Sequence, residues 1–134
     1  MLNTMPSHNP YAAYRQTAAE TATPERLLLM LFDGAIKFVR QAELAIQNKD
    51  LTAANGYLLK VQDIFTELIV TLDMEQGEVA KNLYRLYDFY RSETITANIK
   101  KDANRLQPVL EFLLAFREVW AEAAKQARLE QAHA

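Results

Sequence analysis

The chain contains no cysteine, so disulfides, thiolate nucleophiles and cysteine metal sites are excluded. That absence is compatible with a reducing compartment. Histidine is scarce: His8 and His133 are the only two, and both lie in terminal segments off any helical seam. A di-iron bundle needs Glu-x-x-His pairs projecting inward, and haem needs an axial ligand, so no metal or cofactor is expected. There is no glycine-rich phosphate loop, Gly-x-Ser-x-Gly elbow or Walker pattern. Asp63 and Glu67 stand one helical turn apart, but the acidic residues are otherwise scattered, and this pair is expected on a solvated face. No catalytic constellation emerges, and the chain is not expected to be an enzyme.

One-signed charge is also missing. Fifteen basic and seventeen acidic residues leave a net charge of −2, with no basic patch for nucleic acid. The longest apolar run, Leu27-Leu28-Leu29-Met30-Leu31-Phe32, falls far short of the roughly 18 residues that a membrane span needs. The N-terminal residues lack the basic and apolar regions of a signal peptide, so a cytoplasmic location without membrane insertion is expected.

Half of the 134 residues are hydrophobic, enough for one globular domain. The three glycines and four prolines act as punctuation. Residues 1–22 carry Pro6 and Pro10 with little apolar periodicity, and read as a flexible N-terminal arm, partly helical from Tyr11 onward. Thr23-Pro24 is a strong helix start, with a capping hydroxyl and a proline where its missing N–H is harmless. The first helix is expected from about Pro24 to Gln47 on the seam Leu28, Leu31, Ala35, Phe38, Ala42, Ala45. A second strip of Leu27, Phe32, Ile36, Val39 and Ile46 lies beside it, wider than one partner helix can cover. The second helix opens at Asp50 and follows Leu51, Ala54, Leu58, Val61, Phe65, Leu68 and Leu72 to about Asp73, with Tyr57, Ile64 and Ile69 widening the seam. The third runs on Val79, Leu83, Leu86 and Tyr90 to near Lys101. The fourth restarts at Pro108 on Val109, Leu113, Phe116, Trp120, Ala123 and Ala127.

The stretch from Ala45 to Asp50 echoes that from Ala97 to Asp102. Each places lysine where one helix ends and aspartate where the next begins. This points to two helical hairpins, unless it is a coincidence of lysine-rich turns. The fold class is therefore all-α, an antiparallel up-down four-helix bundle over residues 23–128, with the arm before it and a frayed C-terminus over 129–134.

Two features exceed what a self-contained bundle needs. The apolar run of the first helix points all around its axis, either because the helix is buried on most sides or because one side lines a groove for another apolar chain. Tyr11 and Tyr14 share one face of a helical turn in the arm, and can plug such a groove or simply pack locally.

At this point a family comes into view. Asn9-Pro10-Tyr11-x-x-Tyr14, Thr21-Ala22-Thr23-Pro24-Glu25-x-Leu27 and Met30-Leu31-Phe32-Asp33-Gly34-Ala35 resemble the flagellar secretion chaperone FliS. Gln62-Asp63-Ile64, Glu67-Leu68 and Leu72-Asp73 continue the match in register. So do Ala80-Lys81-Asn82-Leu83-Tyr84-x-Leu86-Tyr87-Asp88, Ala97-Asn98-Ile99-Lys100 and Phe116-Arg117-x-x-Trp120. The resemblance covers about residues 9 to 125. One stretch departs from the family pattern: Phe89-Tyr90-Arg91-Ser92-Glu93-Thr94 places Glu93 where the seam expects an apolar residue. Either Ile95 takes over after a slight rotation, or the packing there is looser.

The resemblance implies a cytosolic export chaperone that binds the disordered C-terminal segment of flagellin, prevents premature polymerisation and keeps it ready for type III flagellar export. A disordered tail can cover a large surface while forfeiting some affinity to ordering. The resemblance also implies that the N-terminal arm covers part of the hydrophobic surface when flagellin is absent, which makes Tyr11 and Tyr14 a displaceable arm. Ile64, Leu68, Tyr87, Asn98 and Ile99 combine the family match with mixed-face positions and are the flagellin-binding candidates. For Asn98 the alternative is capping its own helix. The alternative function is a helical adaptor or regulatory bundle for other flagellar export or regulatory proteins.

Overall fold

The structure, a computed structural model, describes residues 23–133. Four helices follow one another: α1 Pro24–Gln47, α2 Leu51–Val70, α3 Glu78–Lys100 and α4 Gln107–Ala132. No strand occurs among the described residues. The all-α bundle expected from the sequence is the fold. The arm with Tyr11 and Tyr14 lies outside the described residues.

Each helix start has a local cause. Thr23 accepts the Arg26 N–H at 3.2 Å, and Pro24 occupies the first turn of α1. Asp50 accepts the Ala53 N–H at 3.1 Å at the start of α2. Gly77 enters α3 at φ 72° and ψ −134°, a conformation that side chains resist. A 3-10 turn, Ala103–Leu106, sets α4 going one residue before Pro108. At the far end, α4 continues helical to Ala132, past the expected fraying point.

The echoed segments form the same turn twice. Asp50 N–H donates to Ala45 O at 2.8 Å and Lys49 N–H to Ile46 O at 3.0 Å. Asp102 N–H likewise donates to Ala97 O at 3.2 Å, and Lys101 N–H to Asn98 O at 3.3 Å. Lys49 and Lys101 sit in the left-handed region at φ 60° and 49°. This paired bonding satisfies carbonyls that a helix end would otherwise leave orphaned.

Around the bundle the order is α4, α1, α2, α3. The pairs α1–α2, α2–α3 and α1–α4 pack extensively, whereas α3 and α4 barely meet. Being flanked on two sides explains the double strip of α1. Leu27, Leu31, Phe32, Ala35, Ile36, Val39, Ala42 and Ala45 are all buried, while the expected seam members Leu28 and Phe38 are only partly so. A salt bridge from Arg117 Nε to Asp33 Oδ1, 2.8 Å, ties α4 to α1.

The third helix is turned relative to its expected seam. Its buried residues are Ala80, Tyr87, Thr94, Ala97 and Asn98, with Leu83 and Tyr90 partly covered, while Val79 and Leu86 are exposed. The helix is rotated, but Ile95 does not take over at Glu93. Thr94 enters the core, its hydroxyl donating to Tyr90 O at 2.8 Å, and Ile95 stays exposed. A threonine that bonds its own helix can be buried without an orphaned hydroxyl, so the core accepts it in place of an apolar residue. The expectation of a solvated Asp63–Glu67 pair also needs correcting: Glu67 is buried and Asp63 half-buried, and burial, followed by the Glu67 charge, pushes the Asp63 carboxyl up.

A candidate partner-binding groove between α3 and α4

Aromatic rings join α3 to α4 at mid-height. Phe112 stacks on Tyr90 with centroids 4.2 Å apart and meets the edge of Tyr87 at 6.2 Å. Beyond this junction the two helices are separated by a groove of about 520 Å³. Leu83 and Tyr87 on α3 face Trp120, Ala123 and Ala127 on α4, and Leu28 and Leu72 close the back. The groove opens at the end of the bundle where α1 begins and α2 stops.

Small residues create this space. On α4, alanines 121, 123, 124 and 127 follow Trp120, and short side chains cannot reach across to α3. Opposite them, Val79 is 67% exposed although the periodicity places it on a seam. Trp120 and Ala127 are partly covered, and Ala123 is exposed. At this end the apolar residues of α3 and α4 that line the groove meet no covering element among the described residues. An apolar stripe left uncovered inside a rim of polar residues marks an interaction site.

The charge at the groove is acidic. Glu25 and Asp73 line it, and no lysine or arginine does among the described residues. At its inner end Tyr87 is fully buried, and burial pushes its hydroxyl up to about 12, with the nearby Trp120 N–H pulling the other way. The Tyr87–Trp120 geometry nonetheless falls short of a hydrogen bond. Tyr87 Oη and Trp120 Nε1 are both buried without a partner.

The five residues singled out from the sequence are not brought together. Ile64 and Leu68 are fully buried in α2 and belong to the core. Tyr87 lines the groove. Asn98 is buried, and its Nδ2 donates to Asn55 Oδ1 at 3.0 Å, bridging α3 to α2 at the opposite end of the bundle. Ile99, its neighbour, is 78% exposed. Val79, Leu83, Trp120, Ala123 and Ala127 were legible only as seam residues. The signal that could have marked them as a site is the alanine-rich stretch of α4 facing large residues of α3.

A helical bundle with an apolar groove that no described residue covers has the form of a binding protein. Among the described residues no group of three His, Cys, Asp or Glu could hold a metal, and no helix is long and apolar enough to cross a membrane. Comparison with known proteins makes the class specific. The family model described as flagellar protein FliS matches residues 7–127. The flagellar secretion chaperone FliS of Bacillus subtilis is 38% identical over 127 residues, covering 95% of either chain. The proteins of the same name from Campylobacter jejuni and Salmonella typhimurium are 34% and 33% identical, over 88% and 89% of this chain and 93% of each relative. The chain belongs to the FliS family of flagellar secretion chaperones.

Proposed function

We propose that this chaperone binds the C-terminal segment of flagellin in the cytoplasm, keeps it from polymerising prematurely and holds it competent for type III flagellar export. The observation that carries this reading is the apolar groove between α3 and α4, which no described residue covers. A disordered apolar segment that gains helix on docking is the kind of partner such stripes accept. Tyr87 stands in the groove, and Ile99 offers an exposed contact further along α3. Ile64, Leu68 and Asn98 are buried, so any part they play in binding is through the packing of the bundle. The mechanism is sequestration, and it requires no cofactor.

Tyr11 and Tyr14 fit a displaceable cover for the same surface. Residues 1–22 lead directly into Thr23 and Pro24, and Pro24 borders the groove. Arm and flagellin then compete, and the arm lowers apparent affinity by the fraction of time the groove is closed. Deleting residues 1–18 should tighten binding by at most ~100-fold, since two partly buried tyrosines supply on the order of 1–3 kcal/mol.

Calorimetric titration with a synthetic peptide of the flagellin C-terminal segment tests the reading. One-to-one binding, gained helicity and a negative heat-capacity change are expected. No heat at peptide concentrations on the order of tens of micromolar would exclude flagellin and favour another flagellar protein as the partner.

A further inference from the structure

Two polar atoms at the inner end of the groove have no bonding partner. Tyr87 Oη and Trp120 Nε1 are both screened from solvent and make no hydrogen bond. Buried polar groups are nearly always paired, because an unpaired one forfeits its water without compensation. Two further buried oxygens, Gln41 Oε1 and Asn98 Oδ1, also lack a partner, but neither residue lines the groove, whereas Tyr87 Oη and Trp120 Nε1 both belong to residues that do. The buried Thr94 hydroxyl is bonded to its own helix, and the Asn98 amide nitrogen is bonded across to Asn55. The Tyr87 and Trp120 atoms lie where the apolar groove meets the aromatic junction, on the two neighbouring helices that pack least against each other.

Resting on the reading that flagellin occupies this groove, we infer that Tyr87 and Trp120 form a recognition pair for one neutral polar side chain of the bound segment, a carboxamide or a hydroxyl.

The chemistry restricts the ligand to that class. Trp120 Nε1 can only donate, whereas Tyr87 Oη can donate and accept. A carboxamide oxygen accepts from Trp120 while its NH2 donates to Tyr87, and a hydroxyl can do the same through one atom. A carboxylate is disfavoured, since the charged residues lining the groove are Glu25 and Asp73 and the site is apolar. A helical segment uses its own backbone groups internally, so a side chain must make these bonds. The slight packing of α3 against α4 lets an entering segment part them and uncover both atoms. An apolar segment lacking such a residue would leave the pair unsatisfied, so the pair selects among apolar partners.

The test compares the full chain with Tyr87→Phe, using the synthetic flagellin C-terminal peptide as probe. Free Tyr87→Phe should melt at or above the temperature of the unsubstituted chain, because it removes an unsatisfied hydroxyl without changing shape. It should bind the peptide about tenfold more weakly. Replacing each Asn, Gln, Ser and Thr of the peptide by an apolar residue should find one position costing about tenfold with the unsubstituted chain and nothing with Tyr87→Phe. Two results overturn the inference while leaving the groove assignment intact: Tyr87→Phe binding as tightly as the unsubstituted chain, or no peptide position showing the coupling. A lower melting temperature with unchanged affinity would identify the hydroxyl as structural, which also overturns it. Failure of the unsubstituted chain to bind the peptide overturns both the flagellin reading and this inference.

Discussion

At one end of the bundle, paired lysine–aspartate turns close the two hairpins, and the 3-10 turn Ala103–Leu106 packs against α1, α3 and α4. At the other end the same four helices leave a groove and an exposed Val79. Composition does not separate the two ends, since both are helical and apolar inside. What separates them is the size of the facing side chains. Leu106, Val109 and Leu113 fill the closed end, whereas Ala123, Ala124 and Ala127 face the open one. Stability should concentrate where large residues interlock, and the proposed binding where small ones leave room.

The sharpest way to break this contrast is to shave each end. Leu106→Ala, fully buried, should cost about 2–5 kcal/mol in denaturant unfolding. Leu83→Ala in the groove wall is only partly covered, so it should cost about 1 kcal/mol while weakening the flagellin peptide. Equal losses at the two positions would remove the distinction between a load-carrying end and a binding end.

Alkaline unfolding sharpens the contrast further. The folded pKa of Tyr87, about 12, lies above its ordinary value of 10.0. The folded chain therefore holds that proton more tightly. The stability this contributes is whole below pH 10 and is lost as pH rises through about 12. Stability curves measured across that window should flatten in Tyr87→Phe relative to the unsubstituted chain.

Asn98→Ala removes the bond to Asn55 and should cost about 1 kcal/mol by thermal melting. Its exposed neighbour offers the control: Ile99→Ala should move stability by no more than about 0.5 kcal/mol, yet weaken peptide binding if flagellin covers it. The smallest effect belongs to the closed end's own imperfection. Lys49→Gly relieves a left-handed side chain and should stabilise by about 0.5–1 kcal/mol in the same assay.

Much of the fold was legible because its causes are local. The bounds of α1 follow from Thr23-Pro24 at one end and Lys49-Asp50 at the other, and the repeat of that dipeptide at Lys101-Asp102 marks the second hairpin. The rotation of α3 was not legible. Periodicity gives Leu83, Leu86 and Tyr90 as one stripe, but which side of a stripe is buried depends on the neighbouring helices. With α4 standing off, α3 turns toward α2 and buries Thr94, Ala97 and Asn98. For the same reason Ile64 and Leu68 combined a family match with burial deep in the core, while Val79 and Trp120 passed as ordinary seam positions. An apolar residue that matches a family motif carries no label saying whether it meets its own chain or another.

The bridge between Arg117 and Asp33 fixes α4 to α1 one turn before Trp120. Among the described residues α4 packs far more against α1 than against α3, so it is braced mainly from one side. Its amides should then exchange with deuterium in a gradient, slowest around Leu113 and fastest toward Ala132. A chaperone that must grip its cargo and later surrender it gains from this arrangement. Bending one lightly braced rod changes the width of the opening, and the three-helix remainder need not loosen for the cargo to leave.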